Sequence, residues 1–216
     1  MKNTVIFDLD GLLIDSEAIS YRLFCDLTAQ YGQKISLEEY IHHFSGKNET
    51  VNMRRMMEVH GLPISMEEGL AFVNQKEKEY FQEGVALKQG AMQLLSYLQK
   101  KQYKILLASS STKERAVKIL TQNNIAHFFH HMVFGAEVAR GKPYPDIFQK
   151  ACSAAGEPPE RCLVLEDSEA GIQAACSAGI DVICIPDLKS PGEKFRKMTV
   201  AQLPSLDAVP AWLELS

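Results

Sequence analysis

Thr4-Val5-Ile6-Phe7 runs directly into Asp8-Leu9-Asp10-Gly11. An apolar, β-branched run without alternation predicts a short strand buried on both faces, as in a parallel sheet. Residues two apart on extended backbone point the same way, so Asp8 and Asp10 converge just past the strand's carboxyl end. Open α/β sheets bind ligands in that crevice. Two carboxylates that close repel, and a bound cation or a shared proton relieves them. With a cation present, one can attack phosphorus while its neighbour moves a proton. Taken alone, the pair equally fits a turn carrying two solvated acids.

Further along, similar short apolar runs recur at Lys104 to Ala108, Met132 to Phe134, Cys162 to Leu165 and Val182 to Ile185. Amphipathic segments alternate with them. Ala91 to Lys101 reads as a helix, another starts at about Pro145 and ends at Gly156, and the next ends at Gly179. Proline suits a first helical turn, and glycine accepts the left-handed conformation that stops a helix. The alternation predicts a doubly wound, parallel, five-stranded Rossmann-like α/β core.

The rhythm breaks between the first two strands, where about 70 residues carry only helical signals. Ser16 to Tyr31 stops at Gly32, and a second helix starts at Ser36 with Glu39 placed for a capping box. A third runs from about Glu49 to His60, and a fourth starts at Ser65 with Glu68 in the same arrangement. The expected organisation is a catalytic core of residues 1–14 and 87–216, with a helical-bundle cap of residues 15–86 inserted into it. The hinges are expected near Asp15 and near Gly84 to Gln89.

The next three strands also deliver reactive side chains at or after their ends. The second ends in Ala108-Ser109-Ser110-Ser111, with Ser111 and Glu114 spaced as a capping box for the next helix. Hydroxyls and free N–H groups at a helix start can cradle phosphate, or simply cap the helix. Gly141-Lys142-Pro143-Tyr144-Pro145-Asp146 follows the third strand, and its prolines stiffen the loop that presents the Lys142 amine. The fourth ends in Leu165-Glu166-Asp167-Ser168. Hard oxygen ligands of that kind suit Mg²⁺, although acids also favour a helix start through the dipole.

Taken in this order, the segments resemble the haloacid-dehalogenase superfamily. Asp8-Leu9-Asp10-Gly11 matches its DxDG motif, Ser109 its hydroxyl, Lys142 to Asp146 its KPxPD-like loop, and Glu166-Asp167-Ser168 its acidic pair. The run through Ala170 and Gly171 is similar to the β-phosphoglucomutase-like, sugar-phosphatase and pseudouridine-5′-phosphatase-like branch, which carries a helical cap of the first type. The resemblance implies that Asp8 attacks phosphorus to form an aspartyl-phosphate. It also implies that Asp10 protonates the leaving oxygen and then deprotonates the incoming water or hydroxyl. Ser109, with Ser110, and Lys142 would bind the transferring phosphoryl group. Mg²⁺ would be held by Asp8, the Asp10 main-chain carbonyl and Asp167, with Glu166 helping directly or through water.

Within that superfamily, dehalogenase members lack an acid at the position of Asp10, needing no leaving-group proton, and phosphonate-cleaving members depart there too. The resemblance therefore disfavours carbon–halogen and carbon–phosphorus cleavage. Gly46-Lys47 in the cap looks more like the branch's phosphatases than like its mutases, which have the reverse order and a histidine where Ser20 stands. Gly46 and Lys47 are therefore expected to contact substrate. Hydrolysis of a small sugar phosphate or nucleoside monophosphate is the favoured reaction, and a β-phosphoglucomutase-type mutase is the alternative. A phospho-receiver domain uses related groups in a different chain order and lacks the helical insert. A ligand-binding protein with a degenerate site is the other non-enzyme reading.

The 216 residues carry a net charge of −4, which offers no global attraction to nucleic acid or anionic lipid. Five scattered cysteines lack metal-ligand spacing and read as reduced core residues. With no basic leader or long apolar stretch, a cytoplasmic protein is expected, monomeric by default, with no nucleic-acid or membrane partner. The six histidines lack a zinc-like arrangement. Arg54 and Arg55 read mainly as a solvated helix face, Met53, Met56 and Met57 as cap core, and the proline-rich last thirty residues resist assignment. Trp212 there is expected to pack on the core.

Overall fold

The computed structural model describes residues 2–45, 47 and 49–215. In chain order its elements are β1 (Thr4–Phe7), α1 (Ser16–Ala29), α2 (Leu37–His43), α3 (Glu49–His60), α4 (Met66–Glu83), α5 (Ala91–Lys100) and β2 (Lys104–Ser109). They continue with α6 (Lys113–Gln122), β3 (His131–Phe134), α7 (Asp146–Ala155), β4 (Cys162–Glu166) and α8 (Glu169–Ser177). The last are β5 (Asp181–Cys184), α9 (Glu193–Arg196), β6 (Ala201–Gln202) and α10 (Val209–Leu215). Two compact units result, one of Met1–Asp15 with Ala86–Ser216 and one of Ser16–Val85.

The first unit is built on a parallel sheet in the order β3-β2-β1-β4-β5-β6. Its strands need both faces covered, and the sequence supplies apolar residues for both. Ile6, Leu106, Ala108, Val164 and Val182 pack with Ile147, Phe148 and Ala151 of α7 and Ile172 and Ala175 of α8. Their alternate neighbours Val5, Phe7, Ile105, Leu107, Leu163 and Leu165 face the other way and are equally buried. The strand order reverses at β1, so its carboxyl end opens between those of β2 and β4.

The sheet has six strands, which corrects the expected five. Ala201 pairs with Ile183 and Gln202 with Cys184, in parallel, inside the segment that resisted assignment. Two residues are too short to show a period of two, and the pairing is made by backbone. Trp212 is half-buried on α10.

The helical unit buries Phe24, Leu27, Tyr40, Phe44, Met53, Met56, Val73 and Phe81. Ser65 and Glu68 form a complete capping box at the start of α4. Ser36 caps α2 as expected, but the Glu39 carboxylate accepts from His60 Nε2 at 2.9 Å, and His60 Nδ1 lies 2.9 Å from Gln33 Oε1. The Tyr80 hydroxyl donates to Asp26. No described helix is long and apolar enough to cross a membrane. Cys152, Cys162 and Cys184 are buried, Cys25 and Cys176 half-buried, and all five are free thiols.

Candidate active site

Backbone register brings the motif residues together. Phe7 is paired with Leu107 on β2 and with Leu165 on β4, so the residues that follow emerge at one level. The Asp8 N–H donates to the Leu165 carbonyl at 3.1 Å, extending β1 by one residue. Leu9 is fully buried between Asp8 and Asp10, which turn to the opposite side. Gly11 then adopts φ +79°, a left-handed conformation, and a Cβ there would overlap the Asp167 carboxylate. The short motif thus ends in a turn that lets β1 and the acidic pair after β4 lie against each other.

Lys142 sits at the centre of the buried charges. Its Nζ donates to Asp8 Oδ1 at 2.5 Å, to Glu166 Oε1 at 2.6 Å and to the Ala108 carbonyl at 3.2 Å. Its side chain is only 7% exposed, and the adjoining Lys142–Pro143 bond is cis. Burial works against the ammonium charge, but Asp8 and Glu166 outweigh it and hold the Lys142 pKa above that of an ordinary lysine.

Glu166 is fully buried, and its other oxygen, Oε2, accepts from the Asp167 N–H, the Ser168 N–H and the Ser168 hydroxyl at 2.9 to 3.0 Å. Ser168 in turn caps α8 by accepting from Gly171 N–H at 3.0 Å. A Cβ at Gly171 would overlap the Glu166 carboxylate, so glycine is what lets the helix pass so close. Both oxygens of Glu166 are therefore engaged, one by Lys142 and one by the turn that presents Asp167.

Asp8, Glu166 and Asp167 each place an oxygen so that all three lie within 4.8 Å of one another. Burial pushes the Asp8 pKa up to about 7, against the pull of Lys142 and with further repulsion from Glu166 and Asp10. Burial also raises Asp167 well above the carboxylate range, helped by Glu166, Asp8 and Asp187. One lysine does not balance these acids.

Asp10 is held differently. Arg115 Nη2 donates to its Oδ1 at 2.8 Å, Arg115 Nη1 to its Oδ2 at 3.0 Å, and the Ser111 hydroxyl to Oδ2 at 2.7 Å. Ser111 therefore does not cap α6. Thr112 does, accepting from the Arg115 N–H, because Ser111 is drawn one residue back toward Asp10. Ser109 is 1% exposed, and its Oγ accepts from the Ser111 N–H at 3.1 Å, while Ser110 is exposed.

Two residues at this end escaped the sequence reading. Arg115 is one. The other is Asp187, which follows β5 and pairs with Lys88 at 2.5 Å. Its Oδ2 is buried without a hydrogen-bond partner among the described residues, and Asp167 and Asp187 both flank Gly11. An acid after another parallel strand was the available signal for Asp187. Arg115 lies one helical turn past Ser111, which is a weaker one.

In the helical unit, Lys47 is exposed and its Nζ donates to the His43 carbonyl at 2.8 Å. Asn52 braces the same loop by donating to the Phe44 carbonyl at 2.9 Å and to the Lys47 carbonyl at 3.3 Å. Arg55, expected to be solvated, is half-buried and lies 2.8 Å from His43 Nδ1. Gly46 lies outside the described residues.

The sheet thus carries an aspartate after β1, a hydroxyl at the end of β2, a lysine after β3 and an acidic pair at the end of β4, all on one α/β core. Residues 5–185 match the haloacid dehalogenase-like hydrolase family, and the chain belongs to it. A phosphorylated carbohydrates phosphatase of Thermotoga maritima is 31% identical over 179 residues, 83% of this chain and 82% of that protein. A Drosophila melanogaster protein assigned as a pseudouridine-5′-phosphatase is 34% identical over 200 residues, 90% of this chain and 86% of its own length. A Thermotoga maritima structure assigned as a β-phosphoglucomutase superposes with a TM-score of 0.84 at 27% identity, covering 100% of this chain and 99% of that one. The chain is an HAD-type phosphatase, a phosphoric monoester hydrolase.

Proposed function

We propose that the protein is a Mg²⁺-dependent phosphomonoesterase that acts on a small phosphorylated metabolite, a sugar phosphate or nucleoside monophosphate, through an aspartyl-phosphate on Asp8. The observation that carries this reading is the Lys142 ammonium bridging Asp8 and Glu166 with Asp167 beside them. The donor set fits a hard divalent cation: carboxylate oxygens in excess of positive charge, beside a buried Asp187 oxygen that has no hydrogen-bond partner among the described residues. Asp8, the Asp10 main-chain carbonyl and Asp167 would hold the ion, with Glu166 acting mainly through Lys142 and the turn it braces. When bound, Mg²⁺ supplies positive charge against the equatorial oxygens of the transferring group.

The side chains divide the remaining work. Asp8 Oδ forms a bond to phosphorus as the ester P–O bond breaks, and the departing oxygen takes a proton from Asp10. Asp10, now a carboxylate, removes a proton from water. That oxygen attacks phosphorus, the Asp8–phosphorus bond breaks, and inorganic phosphate leaves. Ser109 and Lys142 hold the phosphoryl oxygens through both steps, with Ser110 at the same helix start. Gly46 and Lys47 are the substrate contacts we assign to the helical unit. Five free thiols accord with a cytoplasmic setting.

The decisive experiment measures phosphate release from sugar and nucleoside monophosphates, with Mg²⁺ and then with chelator. Release that needs Mg²⁺, and that falls by about 10⁴-fold or more in Asp8→Asn, is expected. Release that persists in Asp8→Asn overturns the nucleophile. Conversion of glucose 1-phosphate to its 6-phosphate without release would install the mutase reading, which the similarity to the β-phosphoglucomutase structure keeps in view.

A further inference from the structure

Arg115 belongs to none of the strand-end motifs, yet it makes the most complete contact to the second motif aspartate. Two guanidinium nitrogens meet two carboxylate oxygens, at 2.8 and 3.0 Å, and the Ser111 hydroxyl adds a third donor at 2.7 Å. Arg115 Nη1 also contacts that hydroxyl, so the three side chains form one closed network. A planar fork on a carboxylate fixes the plane of the acid as well as its distance, which a lysine's point charge does not.

The network is anchored at both ends. Arg115 lies in the first turn of α6, and its N–H donates to the Thr112 side chain at 3.3 Å. That helix starts just after β2, which is paired with β1, and β1 leads into Asp10. The Arg115 side chain is 23% exposed and that of Asp10 34%, so the acid is held yet open to a reacting group. Asp8, by contrast, has its own cation in Lys142. Neighbouring carboxylates of one motif thus have separate counter-charges.

Resting on the phosphatase reading above, we propose that Arg115, with Ser111, is a positioning residue that fixes the Asp10 carboxyl group for proton transfer to the leaving oxygen. When the ester P–O bond breaks, its electron pair stays on the leaving oxygen, which takes the Asp10 proton. The carboxylate left behind is received by the guanidinium fork. Arg115 touches neither phosphorus nor the leaving group in this scheme and acts only through Asp10.

The test compares kcat/KM for two monoesters, p-nitrophenyl phosphate and an alkyl phosphate such as a sugar phosphate, in Arg115→Ala and Arg115→Lys. This ratio isolates the steps through ester cleavage, and the nitrophenolate needs little help to leave. Arg115→Ala is expected to lose about 100-fold on the alkyl ester and less than about 5-fold on the aryl one, with partial recovery in Arg115→Lys. On an Asp10→Asn background the same Arg115→Ala change is expected to cost less than about twofold, since two residues acting through one group are not additive. Equal losses on both esters, no loss on either, or a full loss on top of Asp10→Asn would overturn the proposal. A wild-type protein that cleaves neither ester would instead overturn the phosphatase reading beneath it.

Discussion

Asp8 and Asp10 stand two residues apart on one turn, but the regions around them differ. Asp8 lies in a buried network with Lys142 and Glu166, whose side chains are 7% and 1% exposed. Asp10 lies in a half-exposed network with Arg115 and Ser111. In the first, charges removed from water have only each other as counter-charges, so losing the cation leaves buried acids uncompensated. In the second, solvent screens whatever is lost. The buried region is therefore where stability and chemistry are tied together, and the open one is where chemistry can change with little effect on the fold.

The sharpest way to break this contrast is to remove Lys142. Lys142→Met leaves Asp8 and Glu166 buried without their cation and is expected to cost about 3–5 kcal/mol in urea unfolding without metal. A cost below about 1 kcal/mol would place the Lys142 site in the same class as the exposed pair.

The next effect is a linkage between pH and Mg²⁺. The folded-state pKa of Asp8 is raised to about 7 from 3.8, so between those values the folded protein holds a proton that the unfolded chain releases. Stability from this group therefore falls as pH rises from about 4 to about 7, and the cost is constant above that. A divalent cation takes the proton's place only where the carboxyl group ionises. Saturating Mg²⁺, at about 100 times its Kd, is expected to add about 2.7 kcal/mol at pH 8. That corresponds to roughly 5–10 °C in Tm by differential scanning fluorimetry, with little effect at pH 5. Asp8→Asn, which cannot ionise, should reduce the metal-free slope and leave the share that the raised Asp167 contributes, and an unchanged slope in that variant would assign it to other groups.

The smallest effect is expected at the open network. Arg115→Ala should cost less than about 1 kcal/mol of stability, and 0.5 M salt should shrink the difference further. A cost comparable to that of Lys142→Met would erase the distinction between the two regions.

The positions of the motifs were legible because each follows an apolar run short enough to be a strand and lies before a helix. Parallel strands bring their carboxyl ends to one edge, so Asp8, Ser109, Lys142 and Glu166 could be grouped by chain order. Ser111 was misread for a physical reason: its spacing to Glu114 satisfies a local capping rule, but Asp10 offers a charged acceptor and Thr112 takes the cap. Arg115 sits in an ordinary amphipathic helix, and its partner lies 105 residues away. The β6 strand is two residues of backbone pairing, which leaves no side-chain pattern to read.

By itself, the amino-acid order determined the α/β sheet, the inserted helical segment and the family, because periodicity, helix punctuation and motif spacing are local properties of a chain. Only the tertiary structure decided which cation serves which carboxylate, that Glu166 is enclosed by its own turn, and that Asp187 and Arg115 stand at the same edge. Those outcomes depend on distance and burial between groups far apart in the chain, and electrostatics in a folded protein is set by these rather than by residue type.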